Sequence, residues 1–435
     1  MSAAAKPDVP HEVSAQYARD PLAGLDDPAA EPSTDLLRHA VLLFGPPDGP
    51  ARWATAAQLL AEQPGLPATN VWVAAAAADL GALGRHLAAD PSAAGREGGP
   101  FGWPPLLYLT YARLGSGDPV GCAELLLDAG ADPDAGFLWQ GLPTPFTALT
   151  GVFGSATAEQ PAHPDAGSLA RLLLDRGADP NDGQALYNRM FVVDDSHLEL
   201  LLAAGLGTGD GGPWRRLLPD LTDSPVQLLA SQLGWAVVHG LVERIRLLAG
   251  YDVDLVGPVT GSWLPTSLGR TPLALARRSG RTEVAALLAE LGVAEEVDAE
   301  SRQLGRLLTG DLTELDRTDV DRLQQRYPSL VLRAAVADQL EGVRLLVGLG
   351  FDVNARGRQD LPLEQPWETA LHHAAGEGKL ELAALLLTLG ADPAVRDHRY
   401  GATPLAWARE LEQADLVALL ELLGPSDRDR AAADA

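Results

Sequence analysis

Few side chains in this sequence have the types and spacing that chemistry requires. Asp194, Asp195 and His197 lie together in VVDDSHLELLL, a grouping that could suggest a metal site. The acids precede a helical pattern, however, and acidic side chains at a helix start accept hydrogen bonds from free backbone N–H groups and complement the helix dipole. We therefore expect helix capping, and we predict no metal site and no cofactor. The sequence also lacks an HExxH motif, a glycine-rich phosphate loop and a nucleophile elbow.

One set of residues could still support acid–base catalysis without a cofactor. It consists of Tyr108, Asn188, Trp235 and His239, with the arginine pair at 215–216 to hold an anionic group. Such an enzyme would catalyse a dehydration, an isomerisation or a cyclisation of a natural-product-like substrate. The alternatives are structural. A cation near a helix end, such as His239, is favoured by the helix dipole, and paired arginines neutralise nearby acids.

Several of these residues recur at one position of successive short helices. Alignment on the Leu-His-x-Ala-Ala phrase at 371–375 places one residue of each repeat at x, with successive residues about 10 Å apart: Tyr108, Gly151, Asn188, Trp235, Leu275, Arg333, His373 and Trp407. Gly151 removes a side chain from this row and would leave a gap, which the ring of Trp139 could cover. Such a gap is typical of a small-molecule pocket. The alternative is that Gly151 only lets a neighbouring ring, such as Phe146 or Phe153, pack closer.

Three long loops each carry a tryptophan. These residues are Trp139, Trp263 and Trp367. Each ring could fold down as a lid on its own helices, or the three rings could overhang one concave groove and contact whatever binds there. We include all three among the predicted binding residues.

The elements that position these side chains come from a repeated phrase. An apolar helical stripe ends at a glycine, and Asp-Pro or Asp-Val-Asn then begins a turn. The clearest copies are LLLDAGADPDA at 125–135, LLLDRGADPND at 172–182, LLVGLGFDVNA at 345–355 and LLLTLGADPAV at 385–395. A second helix with a Thr-Pro-Leu type of start precedes several copies, as in TPLALARR at 271–278. A pair of such short helices buries its apolar face only by stacking on neighbouring pairs.

At these residues the chain resembles the ankyrin-repeat family, most clearly in ETALHHAAGEGKLELAALLL at 368–387. The segment at 184–205 is similar to a group of actinobacterial ankyrin-repeat proteins. The resemblance implies an all-α solenoid of about ten helix-pair units with long inserted loops, over residues 55 to 424. It also implies that His372 stabilises its own turn by local hydrogen bonds.

Departures from the repeat suggest the domain organisation. We expect a disordered or loosely packed N-terminal arm over 1–35, because this segment is rich in Ala, Pro and Asp and has no apolar period. An N-terminal ankyrin stack with long loops would follow over 36–293. A degenerate unit, which could be a repeat or a hinge, would open a C-terminal ankyrin stack over 294–424. Residues 425–435 would form a disordered tail.

Composition narrows the possible partners. The chain has 435 residues, a formal net charge of −26 and one cysteine, Cys122, which excludes an internal disulfide. A field of this sign repels nucleic acid and favours a basic partner, and no apolar run is long enough to span a membrane. We predict a cytoplasmic, acidic ankyrin-repeat protein that holds a partner protein on its concave face and tryptophan-bearing loops. The alternatives are the cofactor-free enzyme and a small-molecule sensor or carrier that uses the same pocket.

Overall fold

The computed structural model describes residues 8–25, 30–155, 157–261, 269–294, 297–313, 315–357 and 367–423. Trp263 and the predicted tail at 425–435 lie outside these ranges. The described residues are mostly helical, and they form two compact units, Met1–Leu229 and Ala230–Ala435. Every helix in the described ranges is too short or too polar to cross a bilayer.

Unit 1 is built from short helices and one small sheet. Its helices are α1 (His11–Tyr17), α2 (Pro32–Ala40), α3 (Pro50–Glu62), α4 (Val71–Ala76), α5 (Leu80–Ala89), α6 (Pro105–Tyr111), α7 (Pro119–Asp128), α8 (Ala148–Phe153), α9 (Ala166–Asp175), α10 (Gly183–Arg189), α11 (Ser196–Ala203) and α12 (Gly212–Leu217). Its strands are β1 (Ala18–Arg19), β2 (Gly136–Trp139) and β3 (Pro145–Thr147), and the unit boundary falls within α13 (Pro225–His239).

Consecutive helices in unit 1 pack as pairs, and the pairs stack on one another. Within pairs, α4 packs on α5, α6 on α7 and α8 on α9. The first helices of successive pairs, α4, α6, α8 and α10, contact one another in turn, and so do the second helices α5, α7, α9 and α11. Asp79, Asp118 and Asp182 cap the N-termini of α5, α7 and α10 with their carboxylates. Stacking buries the apolar faces that one pair alone would expose.

A small sheet departs from the all-α prediction. Strand β1 pairs in parallel with β2, and β2 pairs antiparallel with β3. The N-terminal segment supplies β1, and α1 before it buries Val13 against Leu138 and Leu218. The described part of the segment expected to be a disordered or loosely packed arm, residues 8–25 and 30–35, therefore contains a helix and a strand that pack on unit 1.

Unit 2 repeats the helix-pair arrangement. Its remaining helices are α14 (Val242–Ala249), α15 (Pro272–Arg278), α16 (Thr282–Glu290), α17 (Ala299–Leu308), α18 (Arg317–Arg326), α19 (Leu330–Val336), α20 (Leu340–Gly348), α21 (Ala370–Gly376), α22 (Leu380–Thr388), α23 (Pro404–Glu410) and α24 (Ala414–Leu423). The degenerate stretch forms α17 and α18. Its Leu304, Leu308 and Leu323 are buried in the same core cluster as the helices that follow. The proposed boundary at 293/294 stays a prediction.

The glycines of the repeated phrase adopt the predicted left-handed conformation. Gly130, Gly177, Gly350 and Gly390 have φ between +91° and +98° at the ends of α7, α9, α20 and α22. An l-amino acid with a side chain rarely adopts this conformation, so glycine ends the helix and starts the turn. The end of α14 differs. Gly250 has φ −65°, and Asp252 takes the left-handed conformation with φ 56°.

Candidate binding cleft

Tyr108 lies in the core of unit 1. Its side chain is fully buried among aromatic rings, with the ring of Trp103 5.4 Å away. Its hydroxyl accepts a hydrogen bond from the Phe101 N–H (3.1 Å) and donates one to the Gly98 carbonyl (2.9 Å). Burial raises the pKa of this phenol. These contacts give Tyr108 a structural role, and the interpretation as a groove residue is wrong for this side chain.

The gap expected at Gly151 holds another ring. A Cβ at this position would lie 2.2 Å from the ring of Tyr111, so glycine is required for the close approach. The Tyr111 hydroxyl donates to the Thr147 carbonyl at 3.0 Å, which fixes the ring there. The structure agrees with the packing alternative, except that the ring is Tyr111 and not Phe146 or Phe153. The pocket predicted at Gly151 is therefore wrong.

Asn188 and Trp235 lie in different units. Asn188 is buried on α10, where its Oδ1 accepts a hydrogen bond from Gln184 Nε2 at 2.6 Å. Trp235 is buried on α13, and its ring stacks on His239 at 3.6 Å. His239 Nδ1 lies 2.9 Å from the Trp235 carbonyl one turn earlier, so this histidine is held on its own helix. The binding roles of Asn188 and Trp235 stay predictions.

The two described loop tryptophans pack on their own units. Trp139 donates from Nε1 to the Leu43 carbonyl at 2.8 Å. The ring of Trp367 lies 5.3 Å from that of Trp407, and the guanidinium of Arg399 lies 5.3 Å from the Trp367 ring centroid. This geometry resembles the lid alternative, although both rings are partly exposed. Their roles in binding, like that of half-buried His373 on α21, stay predictions.

The charged candidates make local contacts. Arg215 donates to the Thr222 carbonyl at 2.8 Å, and Arg216 pairs with Asp210 at 2.7 Å. Asp194 accepts from the Ser196 N–H at 3.1 Å and pairs with Arg189 at 2.6 Å at the start of α11. These contacts agree with helix capping and charge neutralisation. Within the described ranges, no cluster of three or more His, Cys, Asp or Glu side chains is arranged to hold a metal ion.

A cleft of about 310 Å³ lies elsewhere in unit 1. The repeat turn that follows α7 forms its floor, α1 and α12 form its walls, and the loop before α6 forms its rim. It is lined by Gln16, Tyr17, Gly95, Glu97, Pro104, Leu106, Ala131, Asp132, Asp134, Ala135, Gly136, Pro213, Trp214 and Leu217. It contains none of the predicted binding residues. We call it the acidic cleft.

Two aromatic rings form one side of the acidic cleft. The rings of Tyr17 and Trp214 meet edge to face, with centroids 5.0 Å apart. Trp214 donates from Nε1 to the Asp134 carbonyl at 2.9 Å, which holds the indole against the repeat turn. A Cβ at Gly136 would lie 2.9 Å from this indole, so the glycine makes room for it. The aromatic wall is therefore fixed before any ligand enters.

Three acidic residues line the same space, and no basic residue does. They are Glu97, Asp132 and Asp134. Asp134 Oδ1 accepts a hydrogen bond from the Asp179 N–H at 2.8 Å. Burial raises the pKa of Asp134 to about 6, and the neighbouring carboxylate of Asp132 adds to the rise. Arg19 pairs with Glu97 at 2.9 Å at the rim.

Sequence reasoning misses this cleft because its parts are far apart in the chain. Tyr17 belongs to the segment expected to be disordered or loosely packed, and Trp214 stands out in the sequence only as a neighbour of two arginines. The available signal is the single tyrosine in an N-terminal segment rich in Ala, Pro and Asp. The pairing of β1 with β2 and the packing of Val13 on Leu138 bring Tyr17 to the repeat turn.

The short, paired and stacked helices with left-handed glycine ends define a helical repeat protein. Residues 331–426 match the family model for ankyrin repeats, in three copies. A stretch of 84 residues is 33% identical to a protein of Acanthamoeba polyphaga mimivirus that is named as an ankyrin repeat protein. That stretch is 19% of this chain and spans about a tenth, 10%, of the viral protein. Residues 331–426 are therefore similar to ankyrin repeats, which are generally protein-interaction modules.

Proposed function

We propose that the protein is an interaction module whose acidic cleft takes a basic side chain of a partner protein. The single observation that carries this proposal is the composition of the cleft. Two packed aromatic rings stand beside three acidic residues, and the lining contains no basic residue. A lysine or arginine side chain fits such a site, because its stem packs on the rings while its charge faces carboxylates.

The charge of unit 1 supports a basic partner. Residues 1–229 contain 28 acidic and 12 basic residues, a net charge of −16. A field of this sign attracts a cationic surface and speeds its association, and the effect weakens as salt is added. We therefore expect binding to be sensitive to ionic strength.

The finer architecture belongs to the same proposal. We infer that the repeats continue beyond the three copies in 331–426, as a solenoid of about ten units with long inserted loops. The stacked helix pairs of unit 1 support this extension, since they have the same capped and paired form. In such an array the turns between pairs contribute to the binding face, and the acidic cleft has one of these turns as its floor.

The test measures binding of a tetra-arginine peptide by isothermal titration calorimetry at low salt. The double variant Glu97→Gln with Asp132→Asn removes two charges from the cleft. The amide side chain introduced by Asp132→Asn keeps an oxygen that can accept the Asp134 N–H, which is 3.0 Å from the present carboxylate. We expect affinity to fall about tenfold, corresponding to about 1.4 kcal/mol.

Unit 2 supplies the matched control. Asp352 occupies the same position of its repeat turn, where its carboxylate accepts from the Asn354 N–H at 2.9 Å. We expect Asp352→Asn to leave the affinity unchanged. Equal losses in the cleft variant and in this control would assign the binding to general charge and would contradict the proposal.

A further inference from the structure

The acidic cleft continues into a second space of unit 1, which we call the turn pocket. It has a volume of about 370 Å³ and lies against the repeat turn that follows α9. Asp134 and Pro213 line both spaces, so the two form one groove that crosses two successive repeat turns. Helix α12 borders both, with Trp214 lining the cleft and Arg216 lining the turn pocket.

Each part of the groove has a carboxylate at the same position of its repeat. Asp132 in LLLDAGADPDA lines the acidic cleft, and Asp179 in LLLDRGADPND lines the turn pocket. Each accepts a hydrogen bond from the backbone N–H two residues later, Asp132 at 3.0 Å and Asp179 at 2.7 Å. Because equivalent positions of neighbouring stacked helix pairs are about 10 Å apart, the groove presents two carboxylates at that spacing.

The turn pocket keeps negative charge after its internal ion pair is counted. Asp210 pairs with Arg216 at 2.7 Å. Asp179 accepts hydrogen bonds from the N–H and the side-chain amide of Asn181, both at 2.7 Å, and Asp134 accepts one from the Asp179 N–H. These donors are neutral, and among the described residues neither Asp134 nor Asp179 forms an ion pair. The pocket therefore attracts a cation.

The wall of the turn pocket is held in place by the protein itself. Asn181 donates from Nδ2 to the Thr208 carbonyl at 3.1 Å and accepts from the Gly207 N–H at 2.9 Å, which ties the loop before α12 to the repeat turn. A Cβ at Gly212 would lie 2.2 Å from the carboxylate of Asp179, so the glycine lets α12 begin against this turn. The groove is thus preformed, which lowers the entropy cost of binding.

We propose that the groove binds an extended segment of a partner protein with two basic side chains, the second three positions after the first. The inference rests on the proposed function, since the first basic side chain occupies the acidic cleft and the second enters the turn pocket. A polyproline II segment rises about 3.1 Å per residue and places every third side chain on one face. Two such side chains are about 9 Å apart, which matches the spacing of the two carboxylates. Prolines between them would pack on Trp214 and Pro213, because aromatic-lined grooves suit this conformation.

The test compares two blocked tetrapeptides of the same composition and charge, RPPR and RPRP, by calorimetry on the full chain at low salt. We expect RPPR to bind about tenfold more tightly, because only its arginines reach both carboxylates at once. Asp179→Asn keeps the acceptor for the Asn181 N–H and removes the charge, so it should abolish most of this preference. Glu124→Gln, at an exposed residue of α7 outside the groove, is the control and should keep it.

A second variant uses the internal ion pair. Arg216→Gln releases Asp210 from its partner and makes the turn pocket more acidic, so the preference for RPPR should grow. The Arg216 side chain is 60% exposed, so this variant keeps the proposal testable if Asp179→Asn does not fold. Circular dichroism at the titration temperature checks the fold of each variant.

The outcomes separate this inference from the proposed function. Equal affinities of RPPR and RPRP for the wild type would overturn the inference, whereas the proposed function would stand if the double variant Glu97→Gln with Asp132→Asn weakened both. Loss of the preference in Glu124→Gln as well as in Asp179→Asn would also overturn it, since general charge would then explain the preference. No binding of RPPR, RPRP or tetra-arginine would overturn both proposals.

Discussion

The same helix cap occurs in both units and is completed by different side chains. Thr147 caps α8 in unit 1, and Thr369 caps α21 in unit 2, each through a capping box with the residue three positions later. That residue is Thr150 in TALT and His372 in TALH. The comparison is therefore between a hydroxyl and an imidazole at one position of the repeat.

Both side chains also join their own helix pair to the next one. His372 donates from Nε2 to the Ala402 carbonyl at 3.1 Å. Thr150 donates from Oγ1 to the Asp182 carboxylate at 3.0 Å, and Thr147 donates to the same carboxylate. The imidazole spans the distance to a backbone carbonyl by itself, whereas the shorter hydroxyl is met by a side chain from the next repeat.

The difference changes which charges are buried. Burial lowers the pKa of His372, whereas burial raises the pKa of Asp182, a fully buried carboxyl. The histidine form lies within the stretch that matches the ankyrin family model, and the threonine form lies outside it. The sequence of a repeat can thus differ from the ankyrin pattern at this position and keep its helix cap, if another side chain replaces the hydrogen bond to the next helix pair.

The largest expected effect comes from His372→Ala. The variant loses the imidazole's hydrogen bonds to Thr369 and to the Ala402 carbonyl and leaves a cavity, so the free energy of unfolding should fall by about 2 to 3 kcal/mol. Urea denaturation measures this change. His373→Ala, at the half-buried neighbour, is the control and should cost less. Equal losses would show that the imidazole bridge does not stabilise unit 2.

The pH dependence of the same variant follows from the sign of the shift. The folded pKa of His372 lies below its unfolded value of about 6.5, so below this pH the unfolded chain binds a proton that the folded chain does not. The wild type should therefore lose stability as the pH falls through about 6.5. His372→Ala should lose less over the same interval. A fall of the same size in both proteins would contradict this assignment.

A smaller effect is expected from Thr150→Val in unit 1. Valine keeps the shape but removes the bond to Asp182, which then retains the Thr147 hydroxyl and the Ala185 N–H as donors. It also removes the acceptor of the Thr147 N–H in the capping box. We expect a loss of about 1 to 2 kcal/mol in urea denaturation. Thr110→Val is the control, because this buried threonine makes only a long bond of 3.4 Å to a carbonyl of its own helix. If both variants lose the same stability, the bridge to Asp182 contributes nothing.

The sequence predicts the parts of the fold that depend on local patterns. Gly130 and Gly350 end helices as expected, because a left-handed residue is needed there and the phrase around each glycine is short. The structural role expected for His372 agrees with its bonds to Thr369 and Ala402 for the same reason. These features can be predicted because each depends only on the sequences of one repeat and of the repeat next to it.

The candidate site could not be predicted in this way. The wall of the acidic cleft joins Tyr17 to Trp214, almost two hundred residues apart, next to a strand of only two residues and the packing of α1 on Leu138. Tyr108 is assigned to the groove when its place in the repeat is considered alone. Its surroundings in FGWPPLLYLTY, rich in aromatic residues, are the signal that it packs in the core.

The smallest expected effect comes from exchanging one residue between equivalent turns. Asp134 Oδ1 accepts the Asp179 N–H in unit 1, and Asn354 Oδ1 accepts the Asp392 N–H at 2.9 Å in unit 2. The bond is the same, but only Asp134 is ionisable. Asp134→Asn should raise the free energy of unfolding at pH 7 by about 1 kcal/mol, because it keeps the acceptor and removes a partly buried charge.

The pH profile shows whether charge is the cause. The folded pKa of Asp134 is about 6 and the unfolded value about 3.9, so between these values the folded chain binds more protons and stability falls as pH rises. Asp134→Asn should lose that slope, and Asn354→Asp should introduce one in unit 2 and lower stability at pH 7. Asp132→Asn, at an exposed carboxylate of the same turn, removes only a smaller contribution to the raised pKa of Asp134, so it should change both quantities less than Asp134→Asn does. Parallel pH profiles for the wild type and Asp134→Asn would show that the folded structure does not raise the pKa of Asp134. The acidic cleft would then not differ in its electrostatics from the equivalent turn of unit 2.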